Sequence, residues 1–181
     1  MSDRFEITDT PLEGLRVLER RLLGDHRGSL QRLLCTDELA EIMGGRHILQ
    51  VNLTHTAARG TVRGMHFQAE PHAEMKFVSC LRGEVIDVVV DVRPGSPTFH
   101  RWHAETLSPG NHKTLVIPEG FAHGFQTLTD DCEMLYFHTA AHHAPSERGL
   151  NPGDPALAIE WPLPISAISA RDGAHPLIKV P

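Results

Sequence analysis

The chain is predicted to be all-β, a sandwich or barrel. Short strand-like runs recur at residues 15–22, 47–54, 61–67, 76–81, 85–92, 114–117, 124–128 and 133–139. Gly, Pro, Asn and Asp fall between them, as at Pro94-Gly95-Ser96-Pro97 and Pro109-Gly110-Asn111. A helical pattern is confined to residues 36–43, where Thr36 offers an N-cap and Gly44-Gly45 a stop. Prolines thicken after Pro145 (Pro152, Pro155, Pro162, Pro164), which suggests an irregular C-terminal segment wrapped on the barrel. No repeat, low-complexity tract or linker divides residues 1–181, so one domain is expected.

The run from Glu84 to Val92 says most about layering. Side chains alternate faces along a strand, so Ile86, Val88, Val90 and Val92 share an apolar face. Val85, Asp87, Val89 and Asp91 share the other. Carboxylates among valines suggest that both faces are covered and that Asp87 lies inside the barrel. A buried carboxylate is costly unless paired, so Asp87 needs a partner such as Lys76 or His123. The alternative is a wet face with Asp87 solvated. The same alternation places Gly64, His66 and Gln68 opposite Arg63, Met65 and Phe67, groups Lys76 with Val78 and Cys80, and groups Tyr136 with Met134 and His138.

Composition narrows the classes of function. A chain of 181 residues buries a real core. Its net charge of -6 argues against a nucleic-acid partner, although a local arginine cluster could still hold a phosphate. Cys35, Cys80 and Cys132 are far apart and form no C-x-x-C, as expected of free thiols in a reducing compartment. Asp3, Arg4 and Glu6 interrupt any apolar leader, and no run approaches the roughly 20 apolar residues of a membrane span. A soluble cytoplasmic protein without a membrane partner is expected. Among the 13 histidines, His72, His100, His103, His112 and His142 sit in polar or turn contexts and read as solvated surface residues.

Two segments carry chemistry. Arg63-Gly64-Met65-His66-Phe67-Gln68 is followed, ten residues after its histidine, by Lys76. With Tyr136 these supply a base, a cation and a phenol, the groups needed for proton transfer at a carbon beside a carbonyl. The turn Pro118-Glu119-Gly120-Phe121-Ala122-His123 matches P-x-G-x-x-H, the second half-motif of cupin barrels. Metal-binding cupins carry H-x-H in the first half-motif; here it is His66-Phe67-Gln68, and an amide is a poor transition-metal ligand beside imidazoles. A tight three-histidine metal site is therefore disfavoured, and a looser set of His66, Glu74 and His123 stays open.

Matches run in order along almost the whole chain. They begin with Gly24-Asp25-His26-Arg27-Gly28, Gln50-Val51-Asn52 and Val62 to Gln68. Lys76, Gly83, Asp87, Asp91-Val92-Arg93, Gly95 to Phe99 and Leu107-Ser108 follow. The series closes with Ile117 to Phe125, Glu133 to Tyr136, Pro145, Glu147-Arg148-Gly149, Ile159 to Pro162 and Ser169-Ala170-Arg171-Asp172. In these the chain resembles the dTDP-4-dehydrorhamnose 3,5-epimerases, RmlC-like cupins. The resemblance implies a double-stranded β-helix (jelly roll) with short peripheral helices, and an isomerase working without a metal or organic cofactor. It implies inversion at C3, C5 or both of a nucleotide-diphosphate-linked 4-keto-6-deoxy sugar, as in dTDP-rhamnose biosynthesis. His66 matches the base, Asp172 the carboxylate that orients it, Lys76 the cation at the oxyanion, and Tyr136 the phenol across the sugar. Asp87 and His123 match a supporting pair. Arg27 and Arg63 match contacts to the nucleotide and its diphosphate, and Gln50 and Asn52 match the pocket wall. Arg32, His143 and Arg171 fall at further substrate-contact positions. Family members commonly form homodimers that exchange N-terminal strands, so Arg27 is expected in the partner's pocket.

Three departures bear on the substrate. Ser29-Leu30-Gln31-Arg32 stands where aromatic residues and a glutamate usually hold the nucleotide base, so Leu30 replaces the ring and Arg32 reverses the charge. Ala141-His142-His143-Ala144-Pro145 replaces a tyrosine-rich stretch, and Phe137 stands where a lysine is common. A different nucleotide, a differently substituted sugar or epimerisation at C3 alone stay open. The more distant alternatives are a metal-dependent cupin enzyme and a non-catalytic sugar-nucleotide-binding module.

Overall fold

A computed structural model describes residues 4–179. Asp3, invoked above against a leader, lies outside the described residues. Thirteen strands follow in chain order. They are β1 (Phe5–Asp9), β2 (Arg16–Arg20), β3 (Leu23–Asp25), β4 (Gly28–Leu30), β5 (Gln50–Thr56), β6 (Val62–Gln68) and β7 (Lys76–Arg82). The rest are β8 (Val85–Asp91), β9 (Trp102–Leu107), β10 (Lys113–Ile117), β11 (Phe121–Thr127), β12 (Cys132–His138) and β13 (Glu147–Gly149). Two helices of one turn each, α1 (Ala40–Met43) and α2 (Ala170–Gly173), lie outside the sheets. One sheet runs β1-β2-β10-β7-β12-β5, the other β13-β6-β11-β8-β9, and β3-β4 form a separate hairpin. Every ladder within these sheets is antiparallel. This is the expected jelly roll.

The alternating sequence pattern explains the layers. Between the sheets, Val78, Cys80, Leu115, Ile117 and Met134 of one meet Val85, Val89, Leu107, Phe121 and Phe125 of the other. The outer face of the six-stranded sheet, with Leu18, Phe77 and Val116, is covered by Leu39 and Met43 around α1. The outer face of the five-stranded sheet, with Ile86, Val88, Val90 and Val92, is covered by Leu150, Leu157, Ile159 and Trp161. Trp102 Nε1 donates to the Leu157 carbonyl (3.0 Å) and Trp161 Nε1 to that of Pro152 (2.9 Å), which pins the proline-rich segment in place. Both faces of β8 are thus buried, as its sequence required, and Asp87 is inside.

Several local expectations are corrected. The helix is shorter than residues 36–43: it begins at Ala40 after Leu39, which offers no side-chain cap, so Thr36 does not cap it. Residues 36–39 form turns that turn Leu39 onto the sheet. Strands β1, β3, β4, β9 and β13 went unread: β1, β3 and β4 are largely exposed, β9 is half-buried with polar residues at three of its six positions, and β13 is three residues long. His72, His100, His103 and His112 are half-buried, and only His142 of that group is exposed. Among the described residues no helix is long and apolar enough to cross a membrane.

Two buried charges set the frame. Arg20 is buried against neutral partners, donating to Ser79 Oγ (2.7 Å), Thr114 Oγ1 (2.5 Å) and Gln31 Oε1 (2.9 Å). Burial lowers its pKa to about 10. Asp91, at the end of β8, accepts from Arg93 Nε (2.9 Å), Arg93 Nη2 (2.7 Å), Ser96 Oγ (2.6 Å) and Thr98 Oγ1 (2.6 Å). Burial alone would raise this carboxyl, but those donors hold it far below the usual range. Asp91→Ala should therefore destabilise the fold by about 3 kcal/mol or more, since it strands a guanidinium and two hydroxyls. The folded-state pKa is depressed, so this contribution is complete above the unfolded value near 3.9 and is lost as the pH falls below it. Urea denaturation should show a constant gap between wild type and variant at neutral pH that narrows only in strong acid.

Candidate active site

A cleft of about 730 Å³ opens between the sheets at one end of the sandwich. One wall is β6, β11 and β8, where His66 and His123 sit in register and Asp87 lies one strand further on. The other is β7, β12 and β5, where Lys76 pairs in register with His138, and Tyr136 with Asn52. His66 and Tyr136 therefore face one cleft from opposite sheets, with Lys76 on the same wall as the phenol.

The polar groups are paired. Asp87 accepts from His123 Nε2 at 2.8 and 2.9 Å. Burial pushes the Asp87 carboxyl up, against the opposing pull of His123 and Lys76. Lys76 Nζ lies 3.1 Å from Glu74 Oε1, and His138 Nδ1 lies 2.8 Å from Glu74 Oε2. Burial would raise Glu74, but His138 and Lys76 together hold it below its ordinary value. Asn52 and Gln50 continue this chain to the cleft mouth: Asn52 Nδ2 lies 3.4 Å from His138 Nε2, and Gln50 Nε2 donates to Asn52 Oδ1 (3.2 Å).

His66 is oriented from the C-terminal segment. Ser169 caps α2 by accepting from the Asp172 amide (3.0 Å), which fixes Asp172 in the first turn. Its carboxylate accepts from His66 Nε2 (2.8 Å) and from the Gly64 amide (3.2 Å). Burial would raise Asp172, but the His66 and Gly64 bonds hold it below its ordinary range, so Nε2 carries the proton and Nδ1 is left basic. Burial lowers the His66 pKa, Asp172 opposes this, and the Arg171 guanidinium 3.1 Å away adds to the lowering. Burial, with the Asp87 charge adding, pushes the Tyr136 phenol well above its usual range. At neutral pH the cleft holds a neutral imidazole facing a protonated phenol.

A local irregularity brings Arg63 into the same cleft. Two steps on β11, from His123 to Phe125, span three on β6, from His66 to Arg63, so β6 carries a bulge. Alternation fails across it, and Arg63 and His66 line one cavity, contrary to the opposite faces read from the sequence. The bulge needs glycine at 64: φ is +119°, and an added Cβ would meet Gly124 Cα at 2.5 Å and the His123 carbonyl at 2.7 Å.

The family model described as dTDP-4-dehydrorhamnose 3,5-epimerase matches residues 9–179. The chain belongs to that family. It is 40% identical to the dTDP-4-dehydrorhamnose 3,5-epimerase of Sinorhizobium fredii, over 96% of this chain and 90% of that one. A Streptomyces niveus dTDP-4-dehydrorhamnose 3-epimerase is 36% identical over 89% of this chain and 78% of its own. Among solved structures, the dTDP-6-deoxy-D-glucose-3,5-epimerase of Legionella pneumophila in complex with dTDP-4-keto-L-rhamnose superposes with a TM-score of 0.90. Identity there is 36%, covering 96% of this chain and 92% of that chain.

Of the residues singled out in this family member's sequence, His66, Tyr136, Asp172, Lys76, His123, Arg63, Gln50, Asn52 and Arg171 line the cleft, and Asp87 lies behind His123. Three do not. Arg27 sits on the exposed β3–β4 hairpin, 78% exposed and paired with Asp25 (2.6 Å), outside the cleft of its own chain. Arg32 pairs with Glu38, outside the cleft of its own chain. His143 stacks on His72 at 3.7 Å, and it is His142 that lines the cleft. Among the described residues His66, Glu74 and His123 do not come together as a ligand group: Glu74 pairs with Lys76 and His138, and His123 with Asp87. Sequence reading named Glu74 only as a member of the looser metal set, and gave His138 and Glu147 no role in the site. Glu74 was accessible, since it lies two residues before Lys76 and shares its face.

The His66 environment has a measurable signature. In an NMR titration its imidazole should protonate below 6.5, the ordinary histidine value. Arg171→Gln removes a neighbouring cation and should move that midpoint upward. A wild-type midpoint above 6.5, or a downward move in the variant, would contradict the geometry.

Proposed function

We propose that the protein epimerises a nucleotide-diphosphate-linked 4-keto-6-deoxy sugar at C3 and C5, by default dTDP-4-dehydro-6-deoxy-D-glucose to dTDP-4-dehydro-L-rhamnose. The observation that carries this is a neutral imidazole and a protonated phenol facing one cleft from opposite sheets, with an ammonium lining the same cleft on the phenol's wall.

Carbons 3 and 5 flank the C4 ketone, so their C–H protons are acidified by enolate formation. His66 takes such a proton, and Asp172 stabilises the resulting imidazolium. The electron pair moves into an enolate whose oxygen is held by Lys76. Tyr136 returns a proton to the opposite face and inverts the centre. Arg63 and Arg171 suit diphosphate oxygens by their planar forks. Asp87 and His123 hold the cleft floor.

Two observations support a homodimer. The Arg27 hairpin projects from its own cleft, as a contribution to a second copy requires, and Leu49, Val51 and Leu53 present exposed apolar side chains on and beside edge strand β5. Three free cysteines suit a reducing cytoplasm.

The Streptomyces niveus relative, named a 3-epimerase, supports a second reading, inversion at C3 alone. Incubation of a 4-keto-6-deoxy sugar nucleotide in deuterated water, followed by NMR, separates them: deuterium at C3 and C5 is expected, and at C3 alone the second reading holds. His66→Ala should cut turnover by about 10²–10⁴-fold. Lys76→Ala should cost about 10²–10³-fold in kcat. Tyr136→Phe should still exchange the proton on the His66 face while forming little inverted product. Full turnover by both the His66 and Tyr136 variants on every 4-keto substrate tried would sink the proposal. In a panel of nucleoside diphosphates, dTDP is expected to raise Tm most, because a ligand that binds only the folded state stabilises it in proportion to its affinity.

A further inference from the structure

Among the described residues one group of three metal-capable side chains comes together. One ligating atom from each of His66, Asp172 and His175 lies within 4.8 Å of the other two. His66 and Asp172 are already explained by their hydrogen bond. His175 is not. Its Nε2 is buried without a hydrogen-bond partner, a costly state for an imidazole nitrogen. Its ring meets that of His66 edge-on, with centroids 6.4 Å apart.

The surroundings hold the imidazole there. Asn151 Nδ2 donates to the carbonyls of Gly173 (3.1 Å) and His175 (3.2 Å), fixing the backbone after α2. Gly149, paired in register with His66, leaves the space the ring fills: a Cβ at that position would sit 2.1 Å from His175 Nε2. Two imidazoles and a carboxylate are a donor set for zinc or cobalt, which take three protein ligands and leave a position for water.

We propose that His66, Asp172 and His175 form a site for a divalent transition ion, and that occupancy switches the enzyme off. The ion takes the Nε2 lone pair of His66, and the proton that Nε2 donated to Asp172 moves through solvent to Nδ1, the nitrogen that was basic, so the imidazole stays neutral. The imidazole then no longer acts as the base. No bond to substrate is made, and a chelator restores the starting state. Arg171 opposes the ion with its charge 3.1 Å from His66 Nε2, but its side chain is 57% exposed and already paired with Glu147 at 3.0 Å, so it has somewhere to go. The switching half of this inference rests on the epimerase reading, and the binding half does not.

Titration of the full chain with Co²⁺, followed by visible absorption, and with Zn²⁺, followed by calorimetry, tests the binding half. One ion per chain is expected, with affinity at least about tenfold weaker in His175→Ala and tighter in Arg171→Ala. His47→Ala, an exposed histidine outside the cleft, serves as a control for binding elsewhere and should match wild type. Melting curves confirm that each variant is folded. His175→Gln, which comes closer to the volume and offers a weak ligand, covers the case in which the alanine variant fails to fold. In turnover assays Zn²⁺ should inhibit wild type reversibly and His175→Ala far less. Absence of binding to wild type, or equal affinity in the folded His175 variants, overturns the site. Ion binding that depends on His175 in a protein without epimerase activity would instead overturn the reading of function.

Discussion

The charges buried in the cleft, Lys76, Glu74, Asp87 and Asp172, each lie within hydrogen-bond reach of a complementary group, and the architecture is arranged around that requirement. An isolated buried ion costs several kcal/mol, so a polar cleft inside an apolar sandwich survives only where partners arrive together. They arrive from distant parts of the chain: Asp172 reaches His66 across 106 residues, and His138 reaches Glu74 across 64. The jelly roll supplies those meetings through register. His66 opposite His123 and Lys76 opposite His138 are consequences of how strands pair.

Period-two alternation made much of this legible. It placed Asp87 inside the sandwich and named His123 as a partner, and it put Lys76 and Tyr136 on inward faces. What it could not show is where the period breaks. The β6 bulge moves Arg63 to the face of His66, and its signal, Gly64 with Gly124 packed against it, is a contact between strands 60 residues apart. Position 64 could be read as glycine in a strand, but the partner that makes a side chain impossible there is visible only in three dimensions.

Other failures have different physical origins. Thr36 looked like a cap because local propensity favoured it, yet packing of Leu39 and Met43 on the sheet decided where the helix began. Arg32 matches a substrate-contact position, and within its own chain it pairs with the nearby Glu38 outside the cleft. Gln31 likewise serves buried Arg20. The adjacent histidines at 142 and 143 differ in role through a single backbone step: the His143 amide is held by Gln68 (2.6 Å) and its ring by His72, which leaves His142 toward the cleft. Local pattern gave the face a side chain takes, whereas it named in advance the partner met there only for Asp87 and His123.

The pairings also bear on the direction of the proposed reaction. Burial acts with opposite chemical outcome on the two reacting groups, removing the proton from His66 and retaining it on Tyr136. Both therefore rest in the state the first half of the reaction needs. Each charge that proton transfer creates then forms beside its opposite. An imidazolium at His66 forms against Asp172, and negative charge on the substrate oxygen or the Tyr136 phenol forms on the wall that carries Lys76. Glu74 keeps the ammonium from being an unpaired cation before substrate enters, and His138 shares that carboxylate so that it does not neutralise Lys76 alone. A cleft built this way changes little in total charge as the proton crosses the sugar ring. That limits the reorganisation a dry interior must undergo, and it is why fixed ion pairs can serve the chemistry where mobile water would not.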